Sequence, residues 1–266
     1  MAAYLFHECS GEGPALVLLH AGVADSRMWE PNRARLSAGR TLVTLDLRGS
    51  GRSPWGTGPF SDVADVVEVL DALGLPRVTV VGASFGGSVA LDLALAHPER
   101  VSALVLAAPA LGGWDWSPDQ RAFGAEEDRL LDAGDVEGAV ELNVRRWVDA
   151  GRPTGEVDPG VRALVADMQR HSFDLALSAF SGEPEPGPEQ KLEPPAAGRI
   201  GDIRCPALVV LGALDVTDML EIGAHLGAGL ADVRVETLPG VAHLPSLEAP
   251  AAFDALVASF LDERLA

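Results

Sequence analysis

Short runs of mostly unbroken apolar residues recur along the chain at 15–19, 41–45, 78–81, 101–106, 207–211 and 233–238. A strand with one face in water alternates apolar and polar residues. Continuous apolarity therefore predicts strands covered on both faces, as in a parallel sheet flanked by crossover helices. Between most of these runs lie helix-length segments with apolar residues three and four positions apart, which predict helices over 60–73, 87–96, 219–226 and 251–265. The alternation of the two patterns predicts an α/β fold with a mostly parallel central sheet.

The alternation breaks between about Gly112 and Arg199, where no segment reads as a strand. Helical patterns over 120–133, 136–150 and 159–178 fill this stretch, which also carries Trp114, Trp116, Phe123, Trp147, Phe173 and Phe180. It leaves through Gly182-Glu183-Pro184-Glu185-Pro186-Gly187-Pro188, a composition that favours extended, solvated chain. The expected organisation is a core formed by 1–111 and 200–266, with 112–199 as an all-helical insertion joined back by a Pro-rich linker.

Composition narrows the range of functions. A chain of 266 residues with 47% hydrophobic content has ample material for a packed core. No apolar run approaches the roughly 20 residues that cross a bilayer, and Met1-Ala2-Ala3-Tyr4-Leu5-Phe6-His7-Glu8 does not read as a secretory leader, so a cytoplasmic protein is expected. A formal net charge of −19 makes nucleic acid and anionic membranes poor partners, because both are bound by cations set against phosphates. Arginine supplies all the basic residues but one, leaving Lys191, in the polar linker, as the sole lysine. Two cysteines far apart, Cys9 and Cys205, do not make a disulfide framework, and Cys205 reads as a buried structural thiol. The six histidines show no metal-ligand spacing, so neither a metal nor a cofactor is expected.

The chemistry centres on Gly82-Ala83-Ser84-Phe85-Gly86-Gly87, which follows a β-branched run and opens a helical pattern. Small flanking residues are needed where a serine stands on a sharp strand-to-helix turn that lifts its hydroxyl clear of the sheet. A serine hydroxyl is a poor nucleophile at neutral pH, so it needs a base, a group to orient that base, and donors for the oxyanion. The candidate base is His243, in the loop between the last strand and the last helix. The candidate orienting acid is Asp215, four residues past the strand at 207–211, with Asp218 a rival. Either aspartate could instead cap the helix expected from Met219, a role that suits Asp218 better. For the oxyanion, the N–H of Phe85 opens a helix, and the small residues of His20-Ala21-Gly22 would let the Gly22 N–H turn inward. His20 itself reads as a hydrogen-bonder of that loop.

With these residues in place the chain resembles the α/β-hydrolase superfamily, in particular its small cap-bearing serine hydrolases of the enol-lactonase and esterase-like branch. The resemblance spans nearly the whole chain. It rests on His20-Ala21-Gly22, on Asp46-Leu47-Arg48-Gly49-Ser50-Gly51-Arg52-Ser53, on the Ser84 turn, on His97-Pro98-Glu99-Arg100-Val101, on Gly212-Ala213-Leu214-Asp215 and on Gly240-Val241-Ala242-His243. The order Ser84, Asp215, His243 is the family's order. Ala21 departs from the pattern, standing where the family usually has glycine. The resemblance implies that residues 46–53 form a structural turn beside the site and that 112–199 is a cap whose Trp114, Trp116, Trp147 and Phe173 line a pocket for an apolar acyl group or ring.

The function expected from these readings is cofactor-free hydrolysis of a small apolar carboxylic ester or lactone through an acyl-enzyme on Ser84. A serine nucleophile argues against the epoxide and haloalkane chemistries that use a carboxylate at that position. Two alternatives keep the fold: hydrolysis of a carbon–carbon bond in a β-diketone or dienol, and a non-catalytic small-molecule receptor or biosynthetic helper.

Overall fold

The computed structural model describes residues 5–182 and 185–265; Glu183 and Pro184 of the Pro-rich linker, and the first four residues of the segment read for a leader, lie outside them. The strands are β1 (His7–Ser10), β2 (Ala15–Leu19), β3 (Thr41–Leu45), β4 (Gly58–Phe60), β5 (Val78–Ala83), β6 (Val101–Ala107), β7 (Pro186–Glu189), β8 (Ala207–Gly212) and β9 (Val233–Leu238). The helices are α1 (Arg33–Leu36), α2 (Asp62–Ala72), α3 (Phe85–Ala96), α4 (Pro118–Asp132), α5 (Val136–Val144), α6 (Pro159–Phe180), α7 (Thr217–Gly229), α8 (Pro245–Glu248) and α9 (Pro250–Leu265).

Seven strands form the central sheet in the order β1-β3-β2-β5-β6-β8-β9. All neighbours pair in parallel except β1, which runs antiparallel against β3. The inner strands β5 and β8 are buried at every position, which is the reason for their apolarity, broken in β5 only at Thr79, whose hydroxyl meets that of Ser102 at 3.0 Å. Because β3, β2, β5, β6, β8 and β9 share one direction, the loops that leave β2, β5, β8 and β9 all emerge at the same edge of the sheet, the edge where open α/β sheets bind ligands.

The structure departs from the sequence reading at several elements. β1 was not expected: its sequence is His-Glu-Cys-Ser, it is only half covered, and it sits at the rim. β9 alternates half-buried and exposed residues because it is the opposite rim. Residues 112–199 were expected to hold no strand, yet β7 pairs in parallel with β4 as a separate two-stranded ribbon, fixed by the Gln190 N–H on the Phe60 carbonyl at 2.6 Å. Phe60, expected to begin a helix, therefore belongs to β4, and α2 starts at Asp62 with the Ser61 hydroxyl as its cap. Cys205 is half-buried rather than buried.

Between β6 and β8 the chain is mainly helical. Ser117, Asp135 and Asp158 cap α4, α5 and α6 by accepting N–H groups of the first turn, and Pro118 and Pro159 follow two of those caps. The expected helix over 136–150 changes character at Arg145. From there to Asp149 the chain widens into a π-helical turn that ends at Ala150 with φ of +47°.

Candidate active site

Ser84 stands between β5 and α3 with φ 47° and ψ −112°, a conformation that costs a non-glycine residue energy. Two glycines make the turn possible. A Cβ on Gly82 would lie 2.3 Å from the Gly86 carbonyl oxygen, and one on Gly86 would lie 2.4 Å from the carbonyl oxygen of Leu19. The Gly86 N–H also donates to the His20 carbonyl at 3.1 Å, tying the turn to the loop that leaves β2.

That loop is held by His20, which is fully buried. Its Nε2 accepts the Leu47 N–H at 2.9 Å, so its proton sits on Nδ1, which donates to the Ala21 carbonyl at 2.8 Å. Burial pushes its pKa below the ordinary value, and both nitrogens are occupied, so His20 serves as a structural link. Ala21 fits where glycine is usual: it is fully buried and its N–H meets the Met28 sulfur at 3.3 Å. Gly22 lies against Phe85, since a Cβ there would be 3.6 Å from the Phe85 Cβ. Neither the Gly22 nor the Phe85 N–H is taken by another described residue, as expected for Phe85 in the first turn of α3.

Residues 46–53 form a tight turn around Asp46, whose two carboxylate oxygens accept the Ser26 and Arg52 N–H groups, each at 2.8 Å. The Ser53 hydroxyl donates to the Asp46 carbonyl at 2.6 Å and accepts the Phe6 N–H at 2.8 Å. Nearby, Arg48 grips Asp65 with two bonds of 2.7 and 2.8 Å, both side chains being buried.

Asp215 and His243 come together from the loops after β8 and β9. Nδ1 of His243 lies 2.8 Å from Oδ2 of Asp215, the other carboxylate oxygen accepts the Val216 N–H at 2.7 Å, and both residues are buried. Gly212 allows this approach, because a Cβ there would fall 1.8 Å from the Ala242 carbonyl oxygen. Asp218 is not the partner of His243 and does not cap α7, whose N-cap is Val216. It accepts the N–H and hydroxyl of Ser117 at 2.8 and 2.6 Å and so fastens the start of α4 to the core. Among the described residues, neither Ser84 Oγ nor His243 Nε2 is hydrogen-bonded to a protein group, and the Ser84 side chain is not joined to the ring.

The aromatic residues expected to line a pocket separate into different settings. Trp147 lies on His243, with ring centroids 4.4 Å apart, and its carbonyl accepts the His243 N–H at 3.4 Å. Trp116 faces a cavity of about 410 Å³ beside Phe85. Trp114 packs on the His225 ring at 5.6 Å, and Phe173 is buried in the apolar core.

Two further residues matter that the sequence reading did not single out. Glu248 accepts the Ala242 N–H at 3.1 Å and the Leu244 N–H at 3.2 Å, one on each side of His243. Arg152 donates to Glu248 at 2.6 Å and to the Gly240 carbonyl at 3.0 Å. A signal was present: Pro245 opens α8, and a Glu three residues after such a proline can reach back to the free N–H groups ahead of the helix.

A sequence profile described as the alpha/beta hydrolase fold matches residues 14–139. The pimeloyl-[acyl-carrier protein] methyl ester esterase of Nitrosospira multiformis is 30% identical over 270 residues, covering 96% of this chain and 97% of that one. The putative carbamate hydrolase RutD of Variovorax paradoxus is 32% identical over 267 residues, covering 94% and 93%. Among solved structures, Est816, described as an N-acyl homoserine lactone degrading enzyme, superposes with a TM-score of 0.74 at 25% identity and covers 96% of each chain. With strand order, serine turn and relatives in agreement, this chain belongs to the α/β-hydrolase family. Among the described residues no helix is long and apolar enough to cross a membrane.

Proposed function

We propose that the protein is a serine hydrolase of small carboxylic esters or lactones, with Ser84 as nucleophile, His243 as base and Asp215 as the group that orients it. The observation that carries this reading is the buried 2.8 Å contact between Asp215 and His243 Nδ1. With that nitrogen holding its proton on the carboxylate, Nε2 is left as the basic atom, at the sheet edge from which the strained Ser84 turn also emerges.

In the reaction, Nε2 takes the Ser84 proton as Oγ bonds to the substrate carbonyl carbon. The Gly22 and Phe85 N–H groups receive the negative oxygen of the tetrahedral intermediate. His243 gives its proton to the departing alkoxide, and the acyl group stays on Ser84. A water that loses its proton to His243 then attacks the acyl carbon; the proton returns to Ser84 Oγ and the acid leaves. Residues 112–199 serve as the cap over this site, with Trp147 supporting the His243 ring and Trp116 facing the cavity beside Phe85. The esterase named among the relatives and the lactone-degrading structure support ester-type substrates.

The test compares wild type with Ser84→Ala for labelling by a fluorophosphonate and for turnover of a short-chain aryl ester and a lactone. Both signals are expected to vanish in the variant. A folded wild type that neither labels nor turns over would overturn the reading in favour of a non-catalytic receptor or helper. Turnover confined to a β-diketone would redirect it to carbon–carbon cleavage.

A further inference from the structure

A groove of about 390 Å³ runs along α3 from Phe85, and neither Asp215 nor His243 lines it. One wall is the α3 face carrying Phe85, Ser88 and Asp92, spaced so that all three point the same way. The opposite walls are the start of α2, with Asp62, and the segment 189–193 that follows β7.

Its carboxylates are the unusual feature. Asp62 is 9% exposed, lines the groove, and makes no side-chain hydrogen bond or ion pair with any described residue. Asp92 has a buried carboxylate oxygen, Oδ1, that also lacks a partner. The cations within reach are committed elsewhere. Arg48 is spent on Asp65, Arg199 sits 3.6 Å from Asp202, and Lys191, which is mostly exposed, sits 3.6 Å from Glu189; His97, also in the lining, lies 3.6 Å from Glu99. Burial, reinforced by Glu189, raises the Asp62 pKa to about 7 and that of Asp92 to about 6, outweighing the opposing pull of Arg48 on Asp62 and of Arg199 on Asp92. The remaining lining is mixed: Phe85, Val63, Val89 and Leu192 give apolar surface beside the polar side chains of His97, Glu189, Gln190, Lys191 and Glu193.

A buried acid without a partner is costly, and Asp62 together with the half-buried Asp92, facing one space with a partly apolar wall, complements a cation that has an apolar body. We propose that this groove binds a primary organic ammonium ion, its charged head between Asp62 and Asp92 and its alkyl or aryl portion against Phe85 and Leu192. The groove shares Phe85, Ser88, Asp92 and Leu192 with the cavity that Trp116 faces, but the two carboxylates that would hold the charged head take no part in the Ser84 chemistry, so the proposal does not require hydrolysis.

The probe is phenethylammonium, titrated calorimetrically into the full chain at about pH 8, with phenethyl alcohol as its uncharged counterpart. Saturable binding of the amine is expected, at least about tenfold tighter than the alcohol. Asp62→Asn and Asp92→Asn are each expected to weaken it about tenfold or more, since removing the charge leaves the shape nearly unchanged. Ser84→Ala is expected to bind like wild type, which separates this proposal from the reading of the active site. Thermal unfolding of each variant checks that it is folded. No saturable binding of the amine, equal binding of the alcohol, or undiminished binding in both Asn variants would overturn the proposal.

Discussion

The His243 loop and the groove along α3 treat buried charge in opposite ways. Around His243 the buried acids are occupied: Asp215 holds the ring, and Glu248 holds two N–H groups and Arg152. In the groove, Asp62 and Asp92 are left without such partners. The contrast separates polar residues that the fold uses to fix its own shape from polar residues turned toward something outside the chain. Partners within the chain confer precision, whereas their absence stores a cost that a ligand can relieve.

The largest expected effect tests the fixed side. Ser84→Ala is expected to lower kcat for an ester by about 10⁴- to 10⁶-fold with little change in folding, measured by steady-state kinetics beside circular dichroism. Asp215→Asn keeps the shape but offers His243 the wrong partner, and a loss of about 10⁴-fold is expected in the same assay. Glu248→Gln removes the charge that pairs with Arg152. It is expected to destabilise the chain by on the order of 3 kcal/mol in urea unfolding, because the largely covered Arg152 would keep its carbonyl acceptors but lose its counter-charge. It is also expected to cut kcat about tenfold with KM nearly unchanged; an unaltered kcat would reduce Glu248 to a purely structural part.

The smallest effect sharpens the contrast from the other side. Asp62 holds its proton more tightly folded than unfolded, with a folded pKa of about 7 against an ordinary 3.8. Between those values the folded chain binds more protons, so stability is expected to fall as pH rises through about 4 to 7. Asp62→Asn removes this contribution and is expected to stabilise the protein by on the order of 1–3 kcal/mol at about pH 8 and hardly at all near pH 4. Thermal unfolding at the two pH values checks it. A variant less stable than wild type at pH 8 would show that the carboxylate has a partner in the chain.

The inner strands were legible because burial on both faces writes itself as nearly unbroken apolar runs, as in β8 and, but for Thr79, β5. The rim strands were harder. β1 is polar and β7 is rich in Pro and Gly, and each is a strand because of the neighbour it meets, β3 or β4, far away in sequence. The Ser84 turn and the Asp215–His243 contact were readable because each of these residues follows a strand. The position of Trp147 was not, since a 3.6-residue period extends α5 smoothly to Ala150 and gives no warning of the wider turn that begins at Arg145. The Asp218 contact with Ser117 was equally hidden, because it joins residues about a hundred positions apart.

The hydrogen bond from the His243 N–H to the Trp147 carbonyl bears on how such proteins can be recombined. A donor segment spliced between β6 and β8 would bring its own pocket walls, yet it would also have to present a carbonyl and a guanidinium to a loop encoded about ninety residues downstream. Swaps that carry residues 145–152 unchanged are therefore the ones expected to keep working parts aligned, which makes this short stretch the natural crossover point for building chimeras with new selectivity.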